Sequence, residues 1–252
     1  MSLVTIEKRG DDVAVLTINR PKANAFSPEL VAELSSALSA SEKARAVVLA
    51  SAIPGIFSAG WDLRFLVDRE RKDMEVFVSD YCDLVRQIFV FGPPVVVALN
   101  GHAIAGGLIV AMAADERLAA EGKGKFGLSE VILGVSVPQC LMEPFRHGLG
   151  ARTMERLAAT GENLNVERAL AVGLLDRVVP AEGLLGAAVE RAGFLAGLAP
   201  AAHAAIKRRS RAAAIARFDQ ARDHDPFLDY WFSDDARFRI RDMVARLSGK
   251  PA

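Results

Sequence analysis

Two glycine-containing loops hold residues whose types and spacing can do chemistry. One is Phe57-Ser58-Ala59-Gly60-Trp61-Asp62; the other is Ala105-Gly106-Gly107. Each follows a stretch with strand character and leads toward a helix. The second lies between residues 95–99, an apolar β-branched run that suits a buried strand, and residues 108–114, an apolar run of helix formers that ends at Asp115-Glu116-Arg117. A helix start leaves its first backbone N–H groups without partners. A Ser, Thr, Asp or Asn cap usually serves them, but here the preceding residues are Ala103, Ile104 and Ala105. The N–H groups and the positive end of the helix dipole are therefore open to a group that is negative or becoming negative. The competing reading is a tight buried loop that needs glycine for packing alone. In a parallel α/β layout, loops at the same strand ends sit together and ligands bind there. One N–H from each loop would then form an oxyanion hole.

The elements that must position these loops follow from the local pattern. Residues 4–7 and 13–19 read as a hairpin with Gly10-Asp11-Asp12 as its turn. Ser27 caps a helix with Pro28 at its first position, and Leu30, Val31, Leu34 and Leu38 follow at helical spacing. Residues 46–50 are a buried strand, 51–62 a loop punctuated by Pro54, Gly55 and Gly60, and 63–91 one or two helices. Further on come a short strand at 118–119, a turn at 121–125, a mixed segment at 126–138, helices at 140–147, 151–160 and 166–171, and a strand fragment at 178–180. Strand, loop and helix recur three times in the first 120 residues, and no short hairpin connection follows residue 20, which implies parallel pairing in an α/β fold. The reading divides the chain into a core at 1–183 and an alanine-rich helical region at 184–252 that packs on the same body.

Bulk properties narrow the function. At 252 residues the chain buries a large core. Acids and bases balance at 31 each, which argues against a dedicated nucleic-acid or membrane-surface protein. Two cysteines, Cys82 and Cys140, argue against a disulfide scaffold and for a reducing compartment; both read as core thiols. The start is too charged for a signal peptide and no apolar run reaches a membrane span, so a cytoplasmic location is expected. There is no GxGxxG after the first strand, no Walker loop and no zinc spacing, so neither a metal nor a separate cofactor is expected. His102, His147, His203 and His224 are scattered and read as structural. Lys207-Arg208-Arg209-Arg211 alternates with alanine and reads as a solvated helix face rather than an RNA site. Trp231, Phe232 and Phe238 read as packing against a neighbouring subunit rather than stacking on bases.

Four stretches together resemble the crotonase family, the enoyl-CoA hydratase and isomerase superfamily, and the resemblance covers nearly the whole chain. Asn19-Arg20-Pro21-Lys22-Ala23-Asn24-Ala25 resembles the family's early coenzyme A loop. Phe57-Ser58-Ala59-Gly60-Trp61-Asp62-Leu63 resembles its first oxyanion motif, which puts the donor N–H at Trp61, where many members have a small residue. Asn100-Gly101 through Gly107 resembles the second, with Gly106 as donor. Phe126-Gly127-Leu128-Ser129-Glu130-Val131-Ile132-Leu133-Gly134 resembles the segment that carries a catalytic glutamate, here Glu130. Without the resemblance, Glu130 reads first as a surface or loop carboxylate in a salt bridge. The resemblance implies a crotonase-like spiral of ββα units followed by a C-terminal helical trimerisation region, assembled as a homotrimer or a dimer of trimers. It implies an acyl-CoA thioester substrate, with coenzyme A as part of that substrate. Contacts to it are expected at Lys22, Ala23, Ala25, Ala59, Gly60, Leu63, Ile109 and Arg237, with Lys22 the best partner for the phosphates and Arg64 a further one.

One departure matters most. Family hydratases place their first acid three residues after the glycine donor, and that position is Ile109 here. Isoleucine neither accepts nor donates a proton, so two-carboxylate water addition loses half its machinery. One base suffices to move a double bond from position 3 to position 2 of an enoyl thioester. In addition, Val135-Ser136-Val137-Pro138 lacks the Pro-Gly-x-Gly-Gly run common in hydratases, and residues 227–247 are similar to the last helix of the single-glutamate isomerases. The expected activity is thus a Δ3,Δ2-enoyl-CoA isomerase. The alternatives are a hydratase or other crotonase-type lyase or hydrolase, with a second acid from Asp68, Asp73, Glu75 or Glu143, and a non-catalytic or RNA-binding relative.

Overall fold

A computed structural model describes residues 2–10, 12–222 and 226–249. Asp11 of the expected first turn and His224 lie outside the described residues. β1 (Val4–Arg9) and β2 (Val13–Ile18) form the antiparallel hairpin, with Val4 opposite Ile18. α1 (Pro28–Ala40) starts where its cap dictates: the Ser27 side chain accepts the Leu30 N–H, and Leu30, Val31, Leu34 and Leu38 are buried. Then come β3 (Ala46–Ser51), β4 (Gly55–Ser58), α2 (Leu63–Leu66) and α3 (Arg71–Val90). β5 (Val95–Leu99), β6 (Gly101–Ile104) and α4 (Gly106–Ala113) follow, then β7 (Glu116–Ala120) and β8 (Phe126–Gly127). The rest is α5 (Glu143–Leu149), α6 (Ala151–Thr160), α7 (Val166–Ala171), β9 (Arg177–Val179), α8 (Leu184–Ala196), α9 (Pro200–Gln220), α10 (Phe227–Trp231) and α11 (Asp234–Leu247).

The strands sort into two sheets. One runs β1-β2-β3-β5-β7-β9, parallel from β2 onward; the other is a parallel ribbon, β4-β6-β8. β3–β4, β5–β6 and β7–β8 each send a first strand to the large sheet and a second to the small one, which makes the α/β spiral of ββα units. β4 and β6 occupy stretches read from the sequence as loop. Four residues are too few to show an alternating pattern, and these strands exist because they pair with each other. The expected helix at 140–147 divides into a 3-10 turn, Gln139–Met142, followed by α5. α8 covers the outer face of the large sheet, where Leu184, Ala188, Ala192 and Leu195 bury Val15, Val48, Val96 and Leu118.

The basic stretch of α9 corrects the sequence reading. Arg208 and Arg209 are exposed, but Lys207 and Arg211 are buried and ion-paired with Asp115 at 2.7 and 2.9 Å. Arg211 also donates to the carbonyls of Phe89, Ala113 and Ala114, and so neutralises the C-terminal ends of α3 and α4. Asp115 is 92 residues from Lys207 in sequence, and a helical wheel cannot reveal that partner. Removing one member of a buried ion cluster strands the others. Arg211→Ala is therefore expected to cost about 3–5 kcal/mol, seen as a fall in Tm of roughly 10 °C. Arg208→Ala on the exposed face is expected to stay within about 0.5 kcal/mol of wild type. Equal melting of the two variants would refute the assignment.

Candidate active site

The three strands of the small sheet end side by side, and each hands the chain to one expected site residue. β4 stops at Ser58, ahead of Trp61; β6 stops at Ile104, ahead of Gly106; β8 stops at Gly127, ahead of Glu130. Loops at the C-terminal ends of parallel strands are where ligands bind. Here they enclose a cavity of about 310 Å³ whose wall includes Trp61, Gly106, Ile109 and Glu130.

The two glycine-containing loops touch. Gly60 has φ +93, and a Cβ added there would lie 3.0 Å from both Ala105 Cβ and Ile104 O. Ala105 itself sits at φ 48, ψ −125, in territory where glycine is the norm. That turn starts α4 without a side-chain cap, as the sequence implied. Among the described residues, neither the Trp61 nor the Gly106 N–H donates to a protein acceptor. The neighbouring groups are satisfied: Phe26 N–H donates to Gly60 O at 2.7 Å, Asp62 N–H to Phe26 O at 2.9 Å, and Ala59 N–H to Ala23 O at 3.0 Å. The early loop thus straps the loop that carries Trp61, and Arg20 pairs with Asp62 at 2.5 Å.

The indole of Trp61 fills the space beside Gly106. A Cβ at Gly106 would come within 2.8 Å of Trp61 Cδ1 and 3.0 Å of Tyr81 Oη, so only glycine fits. Phe77, Tyr81 and Phe227 meet the indole edge-on at centroid distances of 5.0, 5.3 and 5.5 Å. Tyr81 also donates its hydroxyl to Gly106 O at 2.5 Å. Burial, and next the nearby Glu130 charge, push its phenol well above the usual range.

Glu130 opens a 3-10 turn, Glu130–Leu133, that closes on Gly134 in the left-handed region. Its Oε2 is buried with no hydrogen-bond partner among the described residues. Burial raises its pKa to about 7, opposed by the backbone N–H groups of Glu130 and Ser129. Ile104, Ile109, Leu133 and Val135 supply the apolar wall. Among the described residues, Glu130 is the one acidic side chain lining this cavity.

The other expected residues divide. Ala59, Leu63 and Ile109 line the cavity, and Gly60 is buried between the loops. Lys22 is exposed, and with Ala23 and Ala25 it lies on the strapping loop outside the lining. Arg237 donates to the Val67 carbonyl and stands 5.5 Å from the Phe232 ring centroid rather than in the cavity wall. Arg64 is exposed and donates to Leu247 O, whose residue does line the cavity. Among the candidates for a second acid, Glu143 is buried between Arg146 and Arg217, Asp68 faces Arg241, and neither Asp73 nor Glu75 lines the cavity. Trp231, expected at a subunit contact, is instead 1% exposed and part of the cavity wall, because α10 folds back over Trp61. Tyr81 and Asn163 escaped the sequence reading. Asn163 reaches the wall only because Leu164 pairs with Phe126 across β8, a contact with no local signature. Among the described residues, no group of three His, Cys, Asp or Glu side chains is placed to hold a metal ion.

A family model described as enoyl-CoA hydratase/isomerase matches residues 8–240. The chain is 33% identical over 182 residues to enoyl-CoA delta isomerase 1, mitochondrial, of Rattus norvegicus, covering 70% of this chain and 63% of that protein. It is 30% identical over 207 residues to carnitinyl-CoA dehydratase of Citrobacter koseri, covering 81% of this chain and 78% of that one. The solved structure of human mitochondrial delta3-delta2-enoyl-CoA isomerase aligns with a TM-score of 0.93 at 29% identity, over 98% of both chains.

Proposed function

The chain belongs to the enoyl-CoA hydratase/isomerase family, and we propose that within it this chain is a Δ3,Δ2-enoyl-CoA isomerase with Glu130 as its acid and base. The observation that carries the reading is the acid inventory of the cavity: Glu130 is present, Ile109 stands where a second acid would act, and no other carboxylate of the described residues lines the wall. The carboxylate of Glu130 takes a proton from C2 of a 3-enoyl thioester. The electrons of that C–H bond move onto the thioester oxygen, giving a dienolate. The N–H groups of Trp61 and Gly106 hold the developing charge, each worth about 3 kcal/mol of barrier. Protonated Glu130 then delivers to C4, and the double bond settles between C2 and C3. A pKa near 7 suits both halves, because the group must accept and then release one proton at neutral pH. The apolar wall keeps out the water that would add to the conjugated product. The coenzyme A phosphates fall to exposed cations near the strapping loop, Lys22 first.

Incubation with a 3-enoyl-CoA is expected to raise the absorbance of the conjugated enoyl thioester. Incubation with a 2-enoyl-CoA is expected to leave that absorbance nearly constant. The similarity to a carnitinyl-CoA dehydratase favours a lyase as the second reading. Rapid loss of absorbance with the 2-enoyl thioester and no gain with the 3-enoyl thioester would establish that reading instead.

A further inference from the structure

Cys82 and Cys140 lie 58 residues apart in sequence, yet their Sγ atoms stand 3.1 Å from each other. Cys82 is on α3, and Cys140 is in the 3-10 turn Gln139–Met142. Neither thiol takes part in the proton transfer. Both residues are buried, but both line a cavity of about 230 Å³ together with Glu75, Ser79 and Arg222. Arg222 is held there by Asp83 and Ser79. The cavity therefore opens a polar, guanidinium-bearing wall onto the two sulfurs. The proximity is visible from the other side as well: the Arg222 pKa is raised, chiefly by its hydrogen bond to Asp83 and in smaller part by the two thiols.

We propose that Cys82 and Cys140 are a reversible dithiol–disulfide pair, oxidised by a peroxide that enters this second cavity. One thiolate attacks a peroxide oxygen; the O–O bond breaks, hydroxide leaves, and a sulfenic acid remains. The other thiolate attacks the sulfenic sulfur; the S–S bond forms, the S–O bond breaks, and its oxygen leaves as hydroxide. With the two thiol protons taken up by the two hydroxides, the pair loses two protons and two electrons, and one hydrogen peroxide becomes two waters. The sulfurs need to close by about 1 Å to reach disulfide length. The bond then ties α3, whose Tyr81 holds Gly106, to the turn that follows Pro138, a residue shared by the walls of both cavities.

The test treats the full chain with dilute hydrogen peroxide, then denatures it and titrates the thiols, with the intact mass read in parallel. Expected results are loss of both titratable thiols, a mass lower by two hydrogens, full recovery with dithiothreitol, and a Tm about 5–10 °C higher while oxidised. Cys82→Ser and Cys140→Ser should each lose the two-hydrogen signature and gain oxygen on the remaining sulfur. Two thiols still titratable in the wild type would overturn the proposal. So would added oxygen without loss of hydrogen, or bonding between chains on a non-reducing gel.

Discussion

Glu130→Gln is expected to lower kcat by about 10³–10⁴-fold and, above neutral pH, to raise Tm rather than lower it. The two effects share one cause. The Glu130 carboxyl faces a cavity walled by Ile104, Ile109 and Val135, and its buried Oε2 has no partner among the described residues, so the charged form is disfavoured and the pKa rises from about 4.5 to about 7. The proposed base works only when deprotonated, so kcat/KM of the wild type should climb with pH and level off above about 7. Glutamine keeps the shape but abstracts no proton, so its residual rate should show no such rise. Stability runs the other way. Below about 4.5 the carboxyl is neutral in folded and unfolded chains alike, and the substitution changes little. Between there and about 7 the folded protein holds a proton that the unfolded chain has released, so the wild type loses stability as pH rises, and above 7 the loss is complete. The Tm gap in favour of the glutamine variant should therefore open with increasing pH. Near-wild-type turnover in the variant removes Glu130 from the chemistry. A lower Tm at every pH makes it a structural ion instead.

Legibility in the sequence followed the range of the interactions. Ser27-Pro28 marked the start of α1 because a cap is a three-residue event. The missing cap before Gly106 was visible for the same reason, and the structure leaves that helix start without one. β4 and β6 were read as loop because short strands take their identity from a partner more than 40 positions away, Gly55 facing Gly101 and Ile56 facing His102. The burial of Lys207 and Arg211 was hidden because the compensating charge, Asp115, is on another element. The Cys82–Cys140 contact and the hydrogen bond from Tyr81 to Gly106 are long-range in the same way. At the site, the family resemblance pointed to Trp61, Gly106 and Glu130, and the small sheet explains why these three share one cavity wall. Arg237 was suggested by its place in a similar helix; its neighbours, the Val67 carbonyl and the Phe232 ring, come from other elements and carry no local signal.

Ile109→Glu tests the proposal that this cavity moves a proton instead of adding water. Ile109 is 1% exposed, on the first turn of α4, and shares the cavity wall with Glu130. A carboxyl placed there would join Glu130 in one poorly hydrated space. Two such groups resist simultaneous ionisation, so one pKa rises further and the pair holds one proton at neutral pH. That arrangement suits hydration of a 2-enoyl thioester, with the ionised group drawing a proton from water and the neutral one protonating the α carbon. The variant is expected to hydrate 2-enoyl-CoA at least about tenfold faster than wild type, and to isomerise 3-enoyl-CoA at least about tenfold slower, because Glu130 no longer acts alone. It should also melt lower, since a buried acid replaces a buried aliphatic chain. Ile109→Gln separates the two contributions: it admits water and costs stability as glutamate does, but it carries no proton to exchange. If glutamine and glutamate raise hydration equally, access of water alone was limiting. If neither raises it, the choice of reaction is made elsewhere in the wall. A gain confined to glutamate would make residue 109 the position where a single side chain decides between shuttling a proton and adding water.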